Sequence, residues 1–359
     1  MSGMNRFPAS TSTRSSKTKG DDMIKVRAIV VGTGGFAQYH IRAMIGMKRS
    51  TAIVGMVEPA ASSREATASI FAEKKLRCPP FFNSIAELLR ARIKADCALI
   101  CSPHKFHFEN ARDCLEAGMD VLLEKPMVIN AGEARRLIAL RDKTRRLLMV
   151  AFPGSLSPAI WKAKEMIGKG VIGEVNAVSA HVYQEWKKKT IGKWRQVPEI
   201  SGGGFLFDTG SHMINTVVDL LGSDVAQVSA MLDNRDTPVE INSSVSGVSA
   251  SGVTFSLTGA GDCVHCCSQI MVFGSTGVIR TGVWGETLAV KKAGEQDFTP
   301  VPYRKSSGPW EQFLRVRSGK MTNPCPAEVG LRFAKLMDMI RTSARTGMVV
   351  RAARRRPCP

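Results

Sequence analysis

Two periodic patterns of apolar and polar positions, one typical of strands and one of helices, alternate from residue 25 to about residue 151. Short runs rich in β-branched residues predict buried strands, and the longer segments between them repeat apolar residues at helical spacing. The predicted strands are residues 26–31, 51–57, 81–82, 98–101, 121–123 and 147–151. The predicted helices include residues 36–45, a helix opened by the capping box Ser84-Ile85-Ala86-Glu87, and residues 108–117 and 131–144. This alternation predicts a doubly wound parallel sheet over residues 23–151.

The pattern changes after residue 152. One helix at residues 158–166 precedes longer strand-like stretches, and an amphipathic helix follows at about 327–343. The stretches are residues 175–182, 225–232, 245–258, 264–273 and 278–281. They predict a second, α+β domain over residues 152–350, built on a large and mostly antiparallel sheet. Residues 1–22 lack periodicity and are predicted to be a disordered tail, and residues 351–359 a basic tail.

Composition and the length of apolar runs constrain the expected cellular location of the protein. The chain has 359 residues, of which 44% are hydrophobic and 23% charged, as in a globular protein of two domains. No apolar run approaches the roughly 18 residues of a membrane helix, and no apolar segment follows the basic N-terminus as in a secretory signal. Nine cysteines without regular spacing are typical of a reduced protein. We therefore expect a cytoplasmic protein with no membrane partner.

The formal net charge of +19 raises the question of nucleic-acid binding. Much of the surplus lies in the terminal segments, and another basic run is Lys187-Lys188-Lys189. Charge runs of this kind are usually solvated surface. We do not expect a nucleic-acid partner, although the remaining basic charge favours an anionic cofactor or substrate.

A glycine-rich turn, Gly32-Thr33-Gly34-Gly35-Phe36-Ala37, joins the first predicted strand to the first predicted helix. In that context it has the form of a dinucleotide-binding turn. Gly32 permits the tight turn, Gly34 lets the backbone approach a pyrophosphate at the helix N-terminus, and Ala37 allows the helix to pack closely on the strand. The sequence therefore predicts a bound dinucleotide.

Glu58 follows the second predicted strand, where a carboxylate can accept hydrogen bonds from both ribose hydroxyls. Because it would repel a 2′-phosphate, it favours NAD over NADP. Ser62, Ser63 and Arg64 lie just beyond and could accommodate a phosphate. NAD is the predicted cofactor, and NADP stays the alternative.

Two further strand ends carry polar residues. Ser102-Pro103 follows the fourth strand, with His107 at the start of the next helix, and Glu124-Lys125-Pro126 follows the fifth. Ligands of doubly wound sheets bind at this edge. A lysine beside a nicotinamide and a substrate hydroxyl could take part in proton transfer, although most lysines are solvated surface residues. His107 could contact cofactor or substrate, or only cap the helix.

Three glycines, Gly202-Gly203-Gly204, precede the segment that ends at His212. They suggest a loop whose backbone packs closely on another part of the molecule. If the following segment is helical, Asp208 and His212 lie four residues apart on one face. A carboxylate and an imidazole that converge on a cleft could bind a hydroxyl and move its proton, whereas a plain helix-surface pair is the alternative.

The stretch Cys263-Val264-His265-Cys266-Cys267 contains metal-ligating residue types. In a regular strand, Cys263, His265 and Cys267 would share one face. The stretch lacks a partner Cys-x-x-Cys pair. We therefore predict an ordinary sheet strand and no metal site.

Together, the glycine turn, the Ser102-Pro103 loop with His107, Glu124-Lys125-Pro126 and residues 202–212 resemble the glucose–fructose oxidoreductase, inositol dehydrogenase and rhizopine catabolism (Gfo/Idh/MocA) family. The resemblance covers nearly all of residues 23–350. It implies a Rossmann domain and an open-faced sheet domain with cofactor and substrate between them, often in a homodimer or homotetramer joined through the sheets. Members mostly oxidise or reduce a hydroxyl or keto group of a sugar, inositol or related polyol.

The resemblance also implies roles for individual residues. Lys125 and His212 would handle the proton, while Asp208 would bind the substrate hydroxyl and orient His212. The Lys125–Pro126 peptide is expected to be cis. The residues expected to bind the cofactor are Gly32, Gly34, Gly35, Phe36, Ala37, Glu58, Ser102, Pro103, His107, Glu124 and Lys125.

The chain departs from the family pattern at Phe152-Pro153-Gly154-Ser155, where many members carry Asn or His followed by Arg. Tyr183, Trp194 and Arg195 are predicted to line the substrate pocket instead, since aromatic faces suit sugar rings, with simple packing as the alternative. The predicted function is an NAD(P)-dependent dehydrogenase or reductase acting on CH–OH groups. A glycoside hydrolase of the same fold that retains NAD, and a non-catalytic dinucleotide-binding sensor, are the alternatives.

Overall fold

The structure is a computed structural model that describes residues 25–352 of the chain. Its first half forms a six-stranded parallel sheet with the order β3-β2-β1-β4-β5-β6. The strands are β1 (Val26–Val31), β2 (Thr51–Val57), β3 (Phe81–Phe82), β4 (Cys97–Ile100), β5 (Asp120–Leu123) and β6 (Leu148–Val150). The strand order reverses at β1, which is the point where such sheets bind ligands. The predicted doubly wound sheet is confirmed.

The helices that connect these strands are α1 (Gly35–Gly46), α2 (Ala61–Glu73), α3 (Ile85–Arg90), α4 (His107–Glu116) and α5 (Ala131–Thr144). The capping box predicts the start of α3 correctly, because the Ser84 hydroxyl accepts a hydrogen bond from Glu87 N at 3.1 Å. The hydrophobic pattern does not predict α2. Its buried face consists of Thr67, Ile70 and Phe71, too few apolar residues to give a helical period.

A nine-stranded sheet organises the second half, in the order β14-β13-β12-β11-β7-β10-β9-β8-β15. Its strands are β7 (Val175–Glu185), β8 (Val225–Asp233), β9 (Asn242–Ser249), β10 (Thr254–Ala260), β11 (Asp262–Gly274), β12 (Gly277–Thr281), β13 (Leu288–Lys292), β14 (Thr299–Pro300) and β15 (Val350–Arg351). Only β7 and β10 pair in parallel, and the other pairs of this sheet are antiparallel. The predicted mostly antiparallel sheet is confirmed.

Helices cover the inner face of this sheet and return to the first domain. They are α6 (Pro158–Gly168), α7 (Trp186–Thr190), α8 (Pro198–Ser201), α9 (Phe205–Asp208), α10 (Gly210–Leu221), α11 (Pro309–Arg317) and α12 (Ala327–Thr346). In α11, Trp310 Nε1 donates to Thr51 Oγ1 at 2.9 Å. In α12, Asp338 accepts from Ala131 N at 3.0 Å. The two domains therefore share a continuous buried core.

Between residues 25 and 352, the structure holds no helix with the length and apolar character that crossing a membrane requires.

One strand over residues 245–258 is a wrong prediction. The stretch forms β9 and β10, and the turn between them contains Gly252 at φ +90°. Val253 N donates to the Ser249 hydroxyl at 3.1 Å within that turn. Small residues continue through the turn, so the hydrophobic pattern does not reveal the break. The pattern also does not predict β13, β14, β15 or α11, of which β14 and β15 have only two residues each.

A bulge interrupts β11. Its pairing with β7 passes from Asp262 opposite Glu185 directly to Cys267 opposite Tyr183. The intervening residues, Cys263 among them, are exposed and do not continue a regular strand face. In the described part of the chain, no group of three or more His, Cys, Asp or Glu side chains is arranged to hold a metal ion.

Candidate active site

The glycine turn leaves open space at the start of α1. A Cβ on Gly32 would lie 2.6 Å from Ser102 N, and φ is +79°, so this position requires glycine. In contrast, a Cβ on Gly34 or Gly35 would meet no atom of residues 25–352 within 4 Å. Gly34 caps α1 without a side-chain hydrogen bond, and the first turn of α1 has no acidic residue. The positive end of the helix therefore faces a space that suits a pyrophosphate.

The two residues after the glycines differ in exposure. Phe36 is 54% exposed beside the open space, whereas Ala37 is buried against the sheet. This agrees with a packing role for Ala37. Contact between Phe36 and a cofactor stays a prediction.

Glu58 lies against the glycine turn. Its Oε2 accepts from Thr33 N at 2.8 Å and its Oε1 from Ala60 N at 2.9 Å. Each carboxylate oxygen can accept a further hydrogen bond, so the group is placed to receive ribose hydroxyls. Arg64 donates to Glu58 O and to Asn83 Oδ1, the latter at 2.7 Å. Because these bonds hold its guanidinium on the protein, Arg64 is poorly placed for a 2′-phosphate.

The turn that carries Lys125 is fixed from two sides. The Lys125–Pro126 peptide is cis, as the resemblance implied. Glu124 Oε1 accepts from His40 Nε2 on α1 at 2.8 Å, and Glu124 Oε2 accepts from Lys125 N at 3.1 Å. The helix of the glycine turn and the turn of Lys125 are thereby tied together. Both oxygens of Glu124 accept hydrogen bonds within the protein, and its contact with the cofactor stays a prediction.

His107 holds the Ser102-Pro103 loop against the same turn. Its ring is 1% exposed, with Nδ1 2.8 Å from Pro126 O and Nε2 2.8 Å from Ser102 O. Burial lowers the pKa of His107, so the ring is neutral and one N–H donates. Both ring nitrogens have partners within the protein, and contact between His107 and the cofactor stays a prediction. Ser102 and Pro103 stay predicted cofactor residues.

The three glycines pack closely, as the sequence suggested. A Cβ on Gly202 would lie 2.6 Å from the Ile129 side chain, and one on Gly203 would lie 2.6 Å from Phe207 Cβ. A Cβ on Gly204 would come within 1.9 Å of Glu240 O. The run therefore lets the chain pass between neighbouring elements and brings Asp208 to the cleft.

Asp208 is the centre of the site. Its Oδ1 accepts from Lys125 Nζ at 3.0 Å. Its Oδ2 accepts from Trp186 Nε1 and from Arg195 Nε, both at 2.9 Å. His104 Nε2 lies 3.8 Å from Oδ1. Burial alone would raise the pKa of Asp208, but Lys125 and Arg195 hold it well below its ordinary value. The carboxylate is therefore an anion shared by cations of both domains.

The helix predicted to carry Asp208 and His212 is interrupted at Thr209. The Asp208 carbonyl accepts from Lys125 Nζ at 2.8 Å and from the Ser211 hydroxyl at 2.7 Å. His212 N instead donates to Thr209 O at 3.2 Å. Within residues 25–352, the hydrogen bonds of the Asp208 carboxylate go to other residues than His212. The prediction that Asp208 orients His212 directly is therefore not supported.

Two histidines near this carboxylate are neutral. Burial, and then the charge of Lys125, lowers the pKa of His212 well below its ordinary value. Its Nδ1 is buried and has no hydrogen-bond partner among the described residues. Burial also lowers the pKa of His104 to about 3, although Asp208 opposes the shift. His104 Nδ1 donates to Ser201 O at 2.7 Å. A neutral imidazole at His212 can accept a proton.

The predicted substrate residues separate into two groups. Trp194 and Arg195 lie at the site, since the Trp194 ring is 4.8 Å from that of His104 and the Arg195 guanidinium is 4.4 Å from the Trp194 ring. Tyr183 does not. It stacks on His181 on the outer face of the sheet, opposite Cys267. Side chains alternate along β7, so it is the neighbouring Gln184 that points inward, where its Oε1 accepts from the Thr209 hydroxyl at 3.0 Å. The structure therefore does not bring Tyr183 together with Trp194 and Arg195, and its place in the pocket stays a prediction.

Sequence reasoning missed two residues that hold the site together. His104 contacts Asp208 from the loop after β4. Arg341, on α12, donates to Ile129 O at 2.9 Å and to Gly202 O, and its guanidinium lies 4.7 Å from the Phe207 ring. It links the segment after Lys125 to the segment before Asp208. The position of His104 directly after Ser102-Pro103 was a usable signal, but no local signal marks Arg341.

Comparison with protein families gives two matches. The family model described as an oxidoreductase family with an NAD-binding Rossmann fold matches residues 26–152. The model of the GFO/IDH/MocA C-terminal domain matches residues 160–280.

Individual proteins resemble the chain more distantly. Oxidoreductase P35 of Formosa agariphila is 26% identical over 261 residues, which cover 71% of this chain and 81% of that protein. D-glucoside 3-dehydrogenase of Escherichia coli is 27% identical over 197 residues, 55% of this chain and 54% of that protein. The crystal structure of aldose-aldose oxidoreductase from Caulobacter crescentus has a TM-score of 0.79 at 19% identity, covering 92% of this chain and 100% of that one. At this identity the structure shows the shared fold alone.

Proposed function

We propose that this chain, which belongs to the GFO/IDH/MocA family of NAD-binding oxidoreductases, transfers a hydride between nicotinamide and a hydroxyl or keto carbon of a sugar, inositol or related polyol. One observation carries the proposal. Lys125 of the first domain and Asp208 of the second share a hydrogen bond of 3.0 Å at the carboxyl edge of a sheet whose glycine turn is open. D-glucoside 3-dehydrogenase and scyllo-inositol 2-dehydrogenase (NADP(+)) are among the proteins that resemble the chain, and their names favour a polyol.

The cofactor, when bound, supplies the acceptor or donor of the hydride. The residues proposed to hold it are the glycine turn with Phe36, Glu58, and the main chain at Ser102, Pro103 and Glu124. The open space at Gly34 and Gly35, together with the uncapped start of α1, supports this placement.

Different side chains of the site bind the reacting oxygen of the substrate and transfer its proton. Lys125 Nζ donates two of its hydrogen bonds to Asp208, at 2.8 and 3.0 Å, so its third N–H can bind the reacting oxygen. The neutral imidazole of His212 accepts the hydroxyl proton during oxidation and returns it during reduction. Asp208 keeps the Lys125 ammonium group in place. In this arrangement the proton and the developing negative charge on oxygen each meet a dedicated group.

The screen that tests the proposal uses sugars, inositols and sugar acids with NAD and NADP in parallel. We expect net reduction of NAD by at least one class of compound. Release of an aryl leaving group from a glycoside without net reduction would instead support a hydrolase. Cofactor binding by calorimetry without turnover of any compound would support a sensor.

Glu58→Ala should shift the choice of cofactor. Removing the carboxylate deletes its bonds to the ribose hydroxyls and its repulsion of a 2′-phosphate. We expect the ratio of kcat/KM for NAD to that for NADP to fall by about tenfold or more, the scale of one hydrogen bond to a charged group. Glu65→Ala, an exposed carboxylate on α2, is the matched control. An unchanged ratio would remove Glu58 from the cofactor site.

The pH profile should reflect the neutral state of His212. Burial and Lys125 hold its pKa well below the ordinary value of about 6.5, so the ring stays an acceptor as the pH falls through that value. We expect kcat/KM for oxidation to show no loss attributable to His212 between about pH 8 and pH 6. An inflection near 6.5 that disappears in His212→Gln would contradict this account.

We also propose that the chain forms a homodimer or homotetramer through the outer face of the nine-stranded sheet. That face is rich in short hydroxyl side chains and carries Met231, which is 73% exposed. Exposed apolar side chains on a flat sheet suit a self-complementary contact. Sedimentation of a monomer at all accessible concentrations would exclude it.

A further inference from the structure

The ion-paired cluster of Lys125, Arg195 and Asp208 contains more positive than negative charge. Lys125 and Arg195 form ion pairs with Asp208 at 3.0 and 2.9 Å, and Asp208 is the one carboxylate between residues 25 and 352 that forms an ion pair with either cation. The two histidines are neutral and add no negative charge. The Lys125 and Asp208 side chains are only 12% and 10% exposed, so water screens their ion pair weakly, whereas Arg195 is 33% exposed and accessible to a ligand. Together, Lys125, Arg195 and Asp208 therefore carry one net positive charge.

Arg195 has the unused donors to meet an anion. Its Nε donates to Asp208 Oδ2 at 2.9 Å, while its two Nη groups make no hydrogen bond to any other described residue. The guanidinium lies 4.4 Å from the Trp194 ring, which supports its plane, and the side chain is 33% exposed toward solvent. A fixed guanidinium with two parallel free N–H groups matches the two oxygens of a carboxylate.

We propose that the substrate is a hydroxy acid of the sugar type, and that the Nη groups of Arg195 bind its carboxylate while Lys125 binds the hydroxyl that reacts. The inference rests on the proposed function, because it names the substrate class of the same site.

The spacing of the two cations suits such a molecule. Lys125 Nζ and Arg195 Nε bind opposite oxygens of one carboxylate. They are separated by no more than that group and two hydrogen bonds, a span within the reach of a sugar ring. A phosphate could also bind a guanidinium, but near neutral pH it carries about two negative charges. The cluster of Lys125, Arg195 and Asp208 carries one net positive charge, which matches a carboxylate better.

Three matched compounds test the inference with the full-length protein and NAD: a uronic acid, its primary amide and the parent sugar, in the glucose, galactose and mannose series. We expect kcat/KM for the acid to exceed that for the amide by about ten- to a hundredfold, the scale of hydrogen bonds to a charged group. A sugar phosphate of the same series is a fourth arm. Use of the phosphate in preference to the acid would overturn the carboxylate assignment.

Arg195→Gln distinguishes loss of carboxylate recognition from a general loss of activity. The variant also removes a partner of Asp208, so turnover of every compound should fall. The informative quantity is the ratio of acid to amide, which we expect to fall to within about threefold of one, since a purely structural role would lower both alike. Arg90→Gln, an exposed arginine on α3, should leave the ratio unchanged.

The outcomes keep the two proposals apart. If acid, amide and parent sugar are oxidised equally well, or if the ratio survives in Arg195→Gln, the carboxylate site is overturned and the proposed function stands. If none of the compounds, nor any compound of the wider screen, reduces NAD, both are overturned.

Discussion

Lys125→Met is expected to lower kcat by at least about a hundredfold, the usual scale for loss of a group that handles a proton or its charge. The substitution removes the N–H proposed to bind the reacting oxygen, and it leaves Asp208 with Trp186 and Arg195 as hydrogen-bond donors and without its Lys125 ion pair. Affinity for NAD should remain nearly intact, because the glycine turn and Glu58 lie elsewhere and keep their contacts. Steady-state kinetics and a binding titration on the same preparation separate the two effects.

The control is Lys105→Met, an exposed lysine of the loop after β4. It should turn over at the rate of the unmodified protein. If Lys125→Met also retained near-normal turnover, the assignment of Lys125 would be wrong.

Asp208→Asn is expected to lower the free energy of unfolding by about 3 to 5 kcal/mol, the cost of removing one partner from a buried ion pair. The carboxylate accepts all three of its hydrogen bonds, from Lys125 on Oδ1 and from Trp186 and Arg195 on Oδ2. An amide has one oxygen, so its NH₂ group must face another donor. Denaturant unfolding measures the difference.

A surface carboxylate provides the comparison. Asp262 pairs with Lys187 at 3.3 Å with 40% of its side chain exposed, and Asp262→Asn should change the free energy of unfolding by less than about 1 kcal/mol. Equal effects of the two substitutions would show that the buried network around Asp208 stabilises the fold no more than a surface ion pair does.

The stability from Asp208 should depend on pH in a defined direction. Its folded pKa lies well below the unfolded value of about 3.9, because Lys125 and Arg195 outweigh the effect of burial. The contribution is therefore complete above pH 4 and is lost as the pH falls below 4 toward the folded pKa. The difference in free energy of unfolding between the unmodified protein and Asp208→Asn should therefore shrink as the pH falls over the same range.

The strands of the first domain could be predicted from the sequence because their apolar runs are continuous and bounded by turns. β1, β2 and β3 have the predicted bounds, and β4 to β6 differ by one or two residues. A short, continuous apolar run bounded by turns is typical of a fully buried parallel strand, so its secondary structure is easily predicted. The glycines were also informative, since Gly32 and Gly202–Gly204 meet neighbouring atoms that exclude a side chain.

The errors at the site come from contacts between segments distant in sequence. Spacing alone placed Asp208 and His212 on one helix, but Lys125, 83 residues earlier, takes the carbonyl that would have continued it. Tyr183 was assigned by residue type, whereas the register of β7 decides which face it occupies. His107 is predicted from its place after a strand end, whereas the partners of its ring, the carbonyls of Pro126 and Ser102, have no local signature in the sequence.

Arg341 marks the limit of sequence reasoning most clearly. It lies on the last helix and binds carbonyls 212 and 139 residues away. Neither carbonyl has a side-chain signature in the sequence. Only the packing of α12 against both domains brings the three together, so its role could not be predicted from local pattern.

Transfer of deuterium from substrate to cofactor tests the central claim most directly. The compounds of the screen would be supplied with deuterium on the carbinol carbon, and the released NADH analysed by mass. The account predicts one deuterium in each NADH, formed in step with the keto product and lost in Lys125→Met. Consumption of substrate that releases no labelled NADH would contradict it.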